Sequence, residues 1–486
     1  MRLTPSEKLT ESEVKSGMNF VIKEGLTTEA VTTLTGGAFL VAMALKLGAS
    51  NFQIGLLASI PTLSNIFQLL AIFCLQRFRN RRYISVISAF FARVPLIFVA
   101  ALPFLFTAGT SLTLLISFLF VHFFFSTVTN LSWTSWMKDL IPEDKLGSYF
   151  SHRSRLIQII SVILSFSLAL VLDYVKEAHP NAEMMVYSIM FFSASLIGFA
   201  GIYFFTKTPE PKMELSEDIS MLKFFKKPLR DKNFKKFLLF NSFWAFATNL
   251  AIPFYSVYLI TVLDVSLSYI IGLNILSQFS SIMLIRHWGK LSDKYSNKTI
   301  LSFCGPLYII SMLIWPYTTM PDSHVFTFPL LIIIFILMGI ANAGINLSLA
   351  NIGYKLTPKS ETVTYFSTRT MVTAFFTASA PIIAGFFADF FAVQELNWEI
   401  QWKGSEGDFM IPLIKLENWD FFFFMGACLA AFSLRKLNQV SESGEVHKHV
   451  MVSEVKLAIQ KKTRQKAVAI SNKIYKPASF AKRRAI

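Results

Sequence analysis

Three ionisable side chains lie inside long apolar stretches of this 486-residue chain. Arg93 follows Phe90 and Phe91, His122 stands between Val121 and Phe123, and Glu29 follows Thr27 and Thr28. A charge at the middle of a bilayer costs about 3 kcal/mol or more unless it meets a partner or water, so each is a candidate for function. Three roles fit Arg93: an ion pair with Glu29, a hold on backbone carbonyls, or contact with an anionic ligand. His122 titrates near neutral pH when unperturbed, which suits a proton carrier; a hydrogen-bonded packing histidine is the other reading. Glu29 is the second candidate proton carrier, with Glu24 nearer the end of the same stretch.

Neutral amides form a broader set: Asn130, Asn241, Asn249, Asn274, Gln278, Asn342 and Asn346. Inside a membrane they either bind polar groups of a solute or hydrogen-bond between helices. No catalytic constellation accompanies them. No paired-histidine metal motif falls in an apolar run, and no Gly-x-Ser-x-Gly occurs. The one Gly-Lys pair, Gly289-Lys290, has Leu284 where a phosphate-binding loop needs glycine. The chain is therefore expected to be neither an enzyme nor a nucleotide-driven motor, with no metal and no cofactor. Cys74, Cys304 and Cys428 all lie in apolar runs and read as small fillers.

The elements that must position these residues are legible from composition. The chain is 53% hydrophobic and 16% charged, and holds 50 Phe. Apolar runs mark twelve candidate spans near 20–46, 51–75, 83–106, 111–136, 155–174, 184–206, 236–262, 266–288, 299–319, 328–353, 362–391 and 419–434. About twenty helical residues cross a bilayer core of roughly 30 Å. Lipid offers no partner to a free backbone group, so spans must be helices or closed barrels. Runs such as Leu330 to Ile340 do not alternate as barrel strands would, which leaves an all-α polytopic membrane protein. The first seventeen residues are polar, and no cleavable signal peptide is expected.

The net charge of +16 is concentrated beside the spans. Arg77, Arg79, Arg81 and Arg82, then Lys138, Lys145, Arg153 and Arg155, then Lys290, Lys294 and Lys298, then Lys355 and Lys359 occupy one set of loops. The alternate segments 107–110, 263–265 and 321–326 carry no Lys or Arg. Basic loops face the cytoplasm, so both termini are expected there, and the charge does not call for nucleic acid. The 207–235 linker reads as a short interfacial helix around Met221 to Lys227, or as solvated chain. The 392–418 segment, with Trp398 and Trp402, caps the outer mouth or anchors at the interface. The basic tail, 435–486, either lies on anionic inner-leaflet lipid or is solvated.

One stretch occurs twice. Asn130-Leu131-Ser132, Leu140, Pro142 and Tyr149-Phe150-Ser151 reappear at an offset of 216 as Asn346-Leu347-Ser348, Leu356, Pro358 and Tyr365-Phe366-Ser367, and Arg153 matches Arg369. At an offset of 217, Ile54-Gly55 matches Ile271-Gly272, and Asn80-Arg81 matches Asn297-Lys298. Two related halves in an apolar chain, 1–206 and 236–434, point to a duplicated membrane domain of six helices each, an arrangement typical of solute transporters.

The segment Gly289-Lys290-Leu291-Ser292-Asp293-Lys294-Tyr295-Ser296-Asn297-Lys298 resembles the cytoplasmic-loop signature of the major facilitator superfamily, G-x-L-x-D-(R/K)-x-G-(R/K)-(R/K). With twelve spans and the repeat, the resemblance covers nearly the whole chain. It implies two six-helix bundles that move a small solute by alternating access, driven by an ion gradient such as protons. A monomer in a bacterial inner (cytoplasmic) membrane is the expected setting, with a small-molecule substrate as partner. It also implies a latch in which Asp293, beside Lys290 and Lys294, meets the Arg153 region when the cytoplasmic side shuts, with Gly289 allowing close helix approach. The first half departs from the signature, with Ile72 and Gln76 where Gly289 and Asp293 stand, which puts a matching latch near Arg369 in question. In this family the first, second, fourth and fifth helices of each half line the cavity, and the third is peripheral, which favours a structural role for Arg93. A non-transporting receptor or lipid-handling protein of the same shape is the alternative.

Overall fold

The structure, a computed structural model, describes residues 5–7, 9–212, 227–319, 326–358, 361–391, 393–404, 407–417, 419–442, 444–445, 450 and 453. The first half comprises α1 (Glu11–Thr35), α2 (Gly37–Lys46), α3 (Asn51–Leu63), α4 (Gln68–Phe78), α5 (Arg81–Leu105), α6 (Ala108–Leu140), α7 (Leu146–Ala178) and α8 (Glu183–Lys207). The second comprises α9 (Lys232–Asn249), α10 (Ile252–Thr261), α11 (Leu267–Tyr295), α12 (Asn297–Leu313), α13 (Thr327–Lys355), α14 (Thr362–Phe391) and α15 (Asp420–Leu437). Strands β1 (Glu395–Gly404) and β2 (Gly407–Glu417) lie between α14 and α15.

The helix starts follow local chemistry. Thr10 and Ser50 begin capping boxes with Glu13 and Gln53, and Asn80, Asp231 and Ser266 cap α5, α9 and α11 through their side chains. Each satisfies amides that have no partner within the helix. The first span breaks at Gly36, which is extended, and Gly37, whose φ of 59° favours glycine. The second breaks at Ser64–Phe67, a 3₁₀ turn just after Pro61.

Among the described residues ten helical stretches are long and apolar enough to cross a membrane, and the protein is an integral multi-pass membrane protein. The expected spans at 299–319 and 419–434 fall on shorter elements. Helix α12 is 17 residues long and gives way to a 3₁₀ turn, Trp315–Thr318, that contains Pro316. Helix α15 has 18 residues but carries Asp420 at its start and Arg435 and Lys436 in its last turn.

Three further expectations are corrected. Within the 392–418 segment, expected as a loop, β1 and β2 pair antiparallel, with Glu395 opposite Glu417 and a bulge at Trp398/Glu399. Alternation at Leu396, Trp398, Ile400 and Trp402 was the available strand signal. The chain past 434, expected as tail, stays packed: Leu437, Val440 and Glu442 are buried. Residues 289–295 of the signature are the last turns of α11, not a loop, and α12 begins two residues later. The expected interfacial helix at 221–227 lies outside the described residues except for Lys227, and the basic tail is described only at 435–442, 444–445, 450 and 453.

Close contacts between the two halves gather at the end opposite the basic loops. A Cβ on Gly55 of α3 would collide with the Pro381 carbonyl of α14, and one on Gly385 would lie 2.6 Å from the Asn51 carbonyl oxygen. The Asp173 carboxylate of α7 accepts the amides of Leu267 (2.9 Å) and Ser268 (2.8 Å), the first two residues of α11. Lys176 pairs with Asp264 at 3.6 Å beside it.

Candidate functional site

Below that seam the halves part around a cavity of about 900 Å³. The second half supplies Asn241 and Asn249 from α9, Gln278 from α11, Asn342 and Asn346 from α13, and Arg369 from α14. The first half supplies Thr62, Asn65 and Gln158. A second cavity, of about 650 Å³, adjoins it deeper in the bundle and is lined by Glu29, Asn249, Asn274, Gln278 and Asn342 among others. The shared residues make one polar path through an otherwise apolar protein.

Some of the amides are spent locally. Asn241 Nδ2 donates to Thr373 Oγ1 (2.9 Å), Asn249 Nδ2 to the Ala245 carbonyl (2.8 Å), and Asn274 Nδ2 to the Ile270 carbonyl (3.0 Å). Asn65, Gln158, Gln278, Asn342 and Asn346 make no hydrogen bond to the described residues, and none is among the buried polar atoms that lack a partner. Their amides face the cavity, each with donors and an acceptor to offer. Trp244 and Tyr308 add aromatic wall at the same level.

The other sequence candidates stand elsewhere. His122 is buried outside both cavities, and its Nδ1 donates to the Ala92 carbonyl at 2.6 Å, a packing arrangement. Arg93 is buried in α5 against Gly198 of α8, and Ser195 Oγ donates to its carbonyl at 3.0 Å. Of the three roles open to Arg93, the pair with Glu29 is not formed: Glu24 is the carboxylate within electrostatic reach of Arg93, while Glu29 faces the second cavity. Asn130 is exposed on α6 and lines neither cavity, although its counterpart Asn346 does.

The signature residues also separate. Arg153 Nη2 lies 3.6 Å from Glu24 Oε2, and its guanidinium stacks 4.7 Å from the Trp133 ring centre. Asp293 is exposed, so the latch with Arg153 is not made in this state. Gly289 does not serve a close approach, since an added Cβ would meet only Leu347 Cδ2 at 3.9 Å; the tight crossing of α11 with α13 is at Gly339, against the Ser277 backbone. Lys294 Nζ donates to Tyr295 Oη (2.7 Å). Lys298 is buried and donates to the Val440 carbonyl (2.8 Å) and to Glu445.

Asn65, Gln158, Thr373, Trp244 and Tyr308 were missed as site residues. The first two are amides within apolar runs and were as visible as Asn241.

Two bundles, a seam at one end and a polar cavity open between them describe a known architecture. The profile described as Major Facilitator Superfamily matches residues 26–381 and, in a second match, 288–434. The chain belongs to the major facilitator superfamily. Among solved structures it is similar to the nucleoside transporter NupG (TM-score 0.60, 12% identity, covering 88% of this chain and 98% of that one). It is likewise similar to a D-xylose–proton symporter (TM-score 0.62, 14% identity, 89% and 99%) and to a POT family transporter in complex with 5-aminolevulinic acid (TM-score 0.61, 13% identity, 90% and 99%). At these identities the likeness shows the fold. No curated protein sequence gives a significant match.

Proposed function

We propose that this superfamily member is a secondary active transporter that moves a small solute by alternating access. The observation that carries the reading is the cavity itself. Five cavity-facing amides from both halves sit in a membrane bundle that is sealed at one end by Gly55–Pro381 and Asp173–Leu267 contacts. Free amides at such depth need water or a solute, and a site shared by two repeats is where rocking bundles bind cargo.

In this reading residues 1–206 and 236–434 are the rocking units, joined by the 207–235 linker. The basic end supports a cytoplasmic open mouth, with both termini in the cytoplasm and a bacterial inner membrane as the setting. Glu29, the one charged residue of the second cavity among the described residues, is the proton carrier. Asp293 and Arg153 meet when the basic end closes. The protein acts as a monomer without enzymatic chemistry, and its basic tail binds anionic lipid rather than nucleic acid.

Solute counterflow in proteoliposomes tests the central claim. A preloaded solute that also stabilises the purified protein should accelerate entry of its labelled form. A solute that binds without exchanging would make the protein a receptor and overturn the transporter reading.

A further inference from the structure

We propose that the cavity is built for an anionic organic solute rich in hydroxyl or amide groups, with Arg369 as the seat of its anionic group. The inference rests on the transporter reading above and specifies the cargo.

The duplication supplies the argument. Arg153 and Arg369 match at an offset of 216, and Glu24 and Asn241 match at 217. In the first half the arginine is neutralised from within: Glu24 is buried 3.6 Å from Arg153 Nη2. In the second half the position of that carboxylate is Asn241, which is neutral and is engaged with Thr373. Among the described residues no carboxylate lies within ion-pair distance of Arg369. Its guanidinium rests 5.4 Å from the Phe237 ring centre and abuts Gly353, and among the described residues it is the one charged group lining the cavity of about 900 Å³. An unpaired cation in a membrane bundle is costly, and a planar guanidinium backed by an aromatic face presents its donors to a carboxylate or phosphate.

The amides define the rest of the solute. Asn346 lies seven residues from Gly353 along α13, which is about 10 Å at the helical rise. A solute that spans Arg369 and the amide tier therefore has the reach of a sugar acid or a sugar phosphate. Amides that both donate and accept suit hydroxyl groups, which do the same. Glu29 faces the deeper cavity, which adjoins the amide tier through Asn249, Gln278 and Asn342, and it does not line the Arg369 cavity.

One test needs no knowledge of the natural cargo. In full-length protein with Cys74, Cys304 and Cys428 replaced by serine, Thr370→Cys places a thiol on the cavity wall beside Arg369. Its reaction with an anionic methanethiosulfonate (the ethylsulfonate) should outpace that with the cationic ethyltrimethylammonium reagent by roughly fivefold or more, after correction for their rates with a free thiol. Arg369→Gln should bring the ratio close to one. A ratio near one with Arg369 present would overturn the proposal.

Thermal stability of the chain with its native cysteines gives the second test, and carries the question alone where the serine-replaced protein fails to fold. D-Glucuronate or glucose 6-phosphate should raise Tm, and Arg369→Gln should abolish the rise; D-glucose and spermidine should have no effect. Stabilisation by glucose or spermidine, or by none of the four, would overturn the anion seat. Counterflow keeps the two claims apart. Glucuronate that binds but does not exchange would sink the transporter and leave the seat, whereas exchange of a neutral or cationic solute unaffected by Arg369→Gln would do the reverse.

Discussion

Glu210 and Glu442 perform the same task in the two halves. Glu210 accepts the backbone amides of Arg81 (2.7 Å) and Arg82 (3.1 Å) at the start of α5, and Glu442 accepts those of Asn297 (3.2 Å) and Lys298 (2.7 Å) at the start of α12. Each is buried and lies just past the last helix of its half. Each thus ties the exit of its bundle to the third span, at a helix N-terminus where negative charge is favoured. The bases are held as well: Arg81 pairs with Asp139 and donates to the Pro211 carbonyl (2.6 Å), and Lys355 donates to Glu442 (2.7 Å).

Removing one of these carboxylates should destabilise strongly. Glu210→Ala leaves the wholly buried Arg81 guanidinium short of a partner, and a loss of about 3 kcal/mol is expected. Thermal unfolding in detergent measures it; an unchanged Tm would mean that Asp139 alone suffices.

The two sites should respond oppositely to acid. At Glu442 burial opposes the charge, but hydrogen bonds from Lys355, Asn297 and the Lys298 amide outweigh it and hold the carboxyl below its ordinary value of 4.5. Its contribution is complete above that value and is lost as pH falls below it, so Glu442→Gln should flatten the acid side of the stability profile. Burial pushes the Glu210 carboxyl up despite the Arg81 and Arg82 amides, so its protonation favours the fold, and Glu210→Gln should leave that acid loss in place. Tm measured from pH 6 down to pH 3.5 in the two variants decides this.

Arg79 and Ser296 match at the offset of 217 and both have positive φ, 51° and 94°. The superfamily signature has glycine at the second of these positions. Arg79→Gly should stabilise by about 0.5–1 kcal/mol through relief of a left-handed residue. Ser296→Gly should be close to neutral, because it also removes the Ser296 side-chain cap on the Thr299 amide (3.3 Å). Paired Tm measurements read both.

The seam at the opposite end offers two handles. Gly55→Val has no room against the Pro381 carbonyl and should force the halves apart there, lowering counterflow at least tenfold with the protein still in the membrane. Asp173→Ala strips an acceptor from the start of α11 and, under the alternating access proposed above, should shift the balance by about 1 kcal/mol toward opening at the Asp173 end. Labelling of a cysteine at Thr261 from that side should quicken accordingly.

The bundle was legible because lipid admits few solutions: long apolar runs must be helices, and the repeat gave the pairing of halves. The amides at Asn241, Asn249, Gln278, Asn342 and Asn346 were legible as a set because polar groups are rare at that depth. Their division into free and engaged was not, since whether Asn241 meets Thr373 depends on how α9 crosses α14. Glu24 and Glu29 are five residues apart, and their roles differ by the face of α1 on which each lies, so which of them stands near Arg93 was not legible. The hairpin at 395–417 was missed because two tryptophans and scattered acids also suit an interfacial loop.

The Glu442 bond also dictates an order of assembly. Glu210 leaves the ribosome before any helix of the second half, so the first bundle can be fastened while its twin is still unwritten. The start of α12 has no such fastening until translation has passed α15 and reached residue 442. The second bundle therefore waits in the membrane with its third span untied until residue 442 has been made.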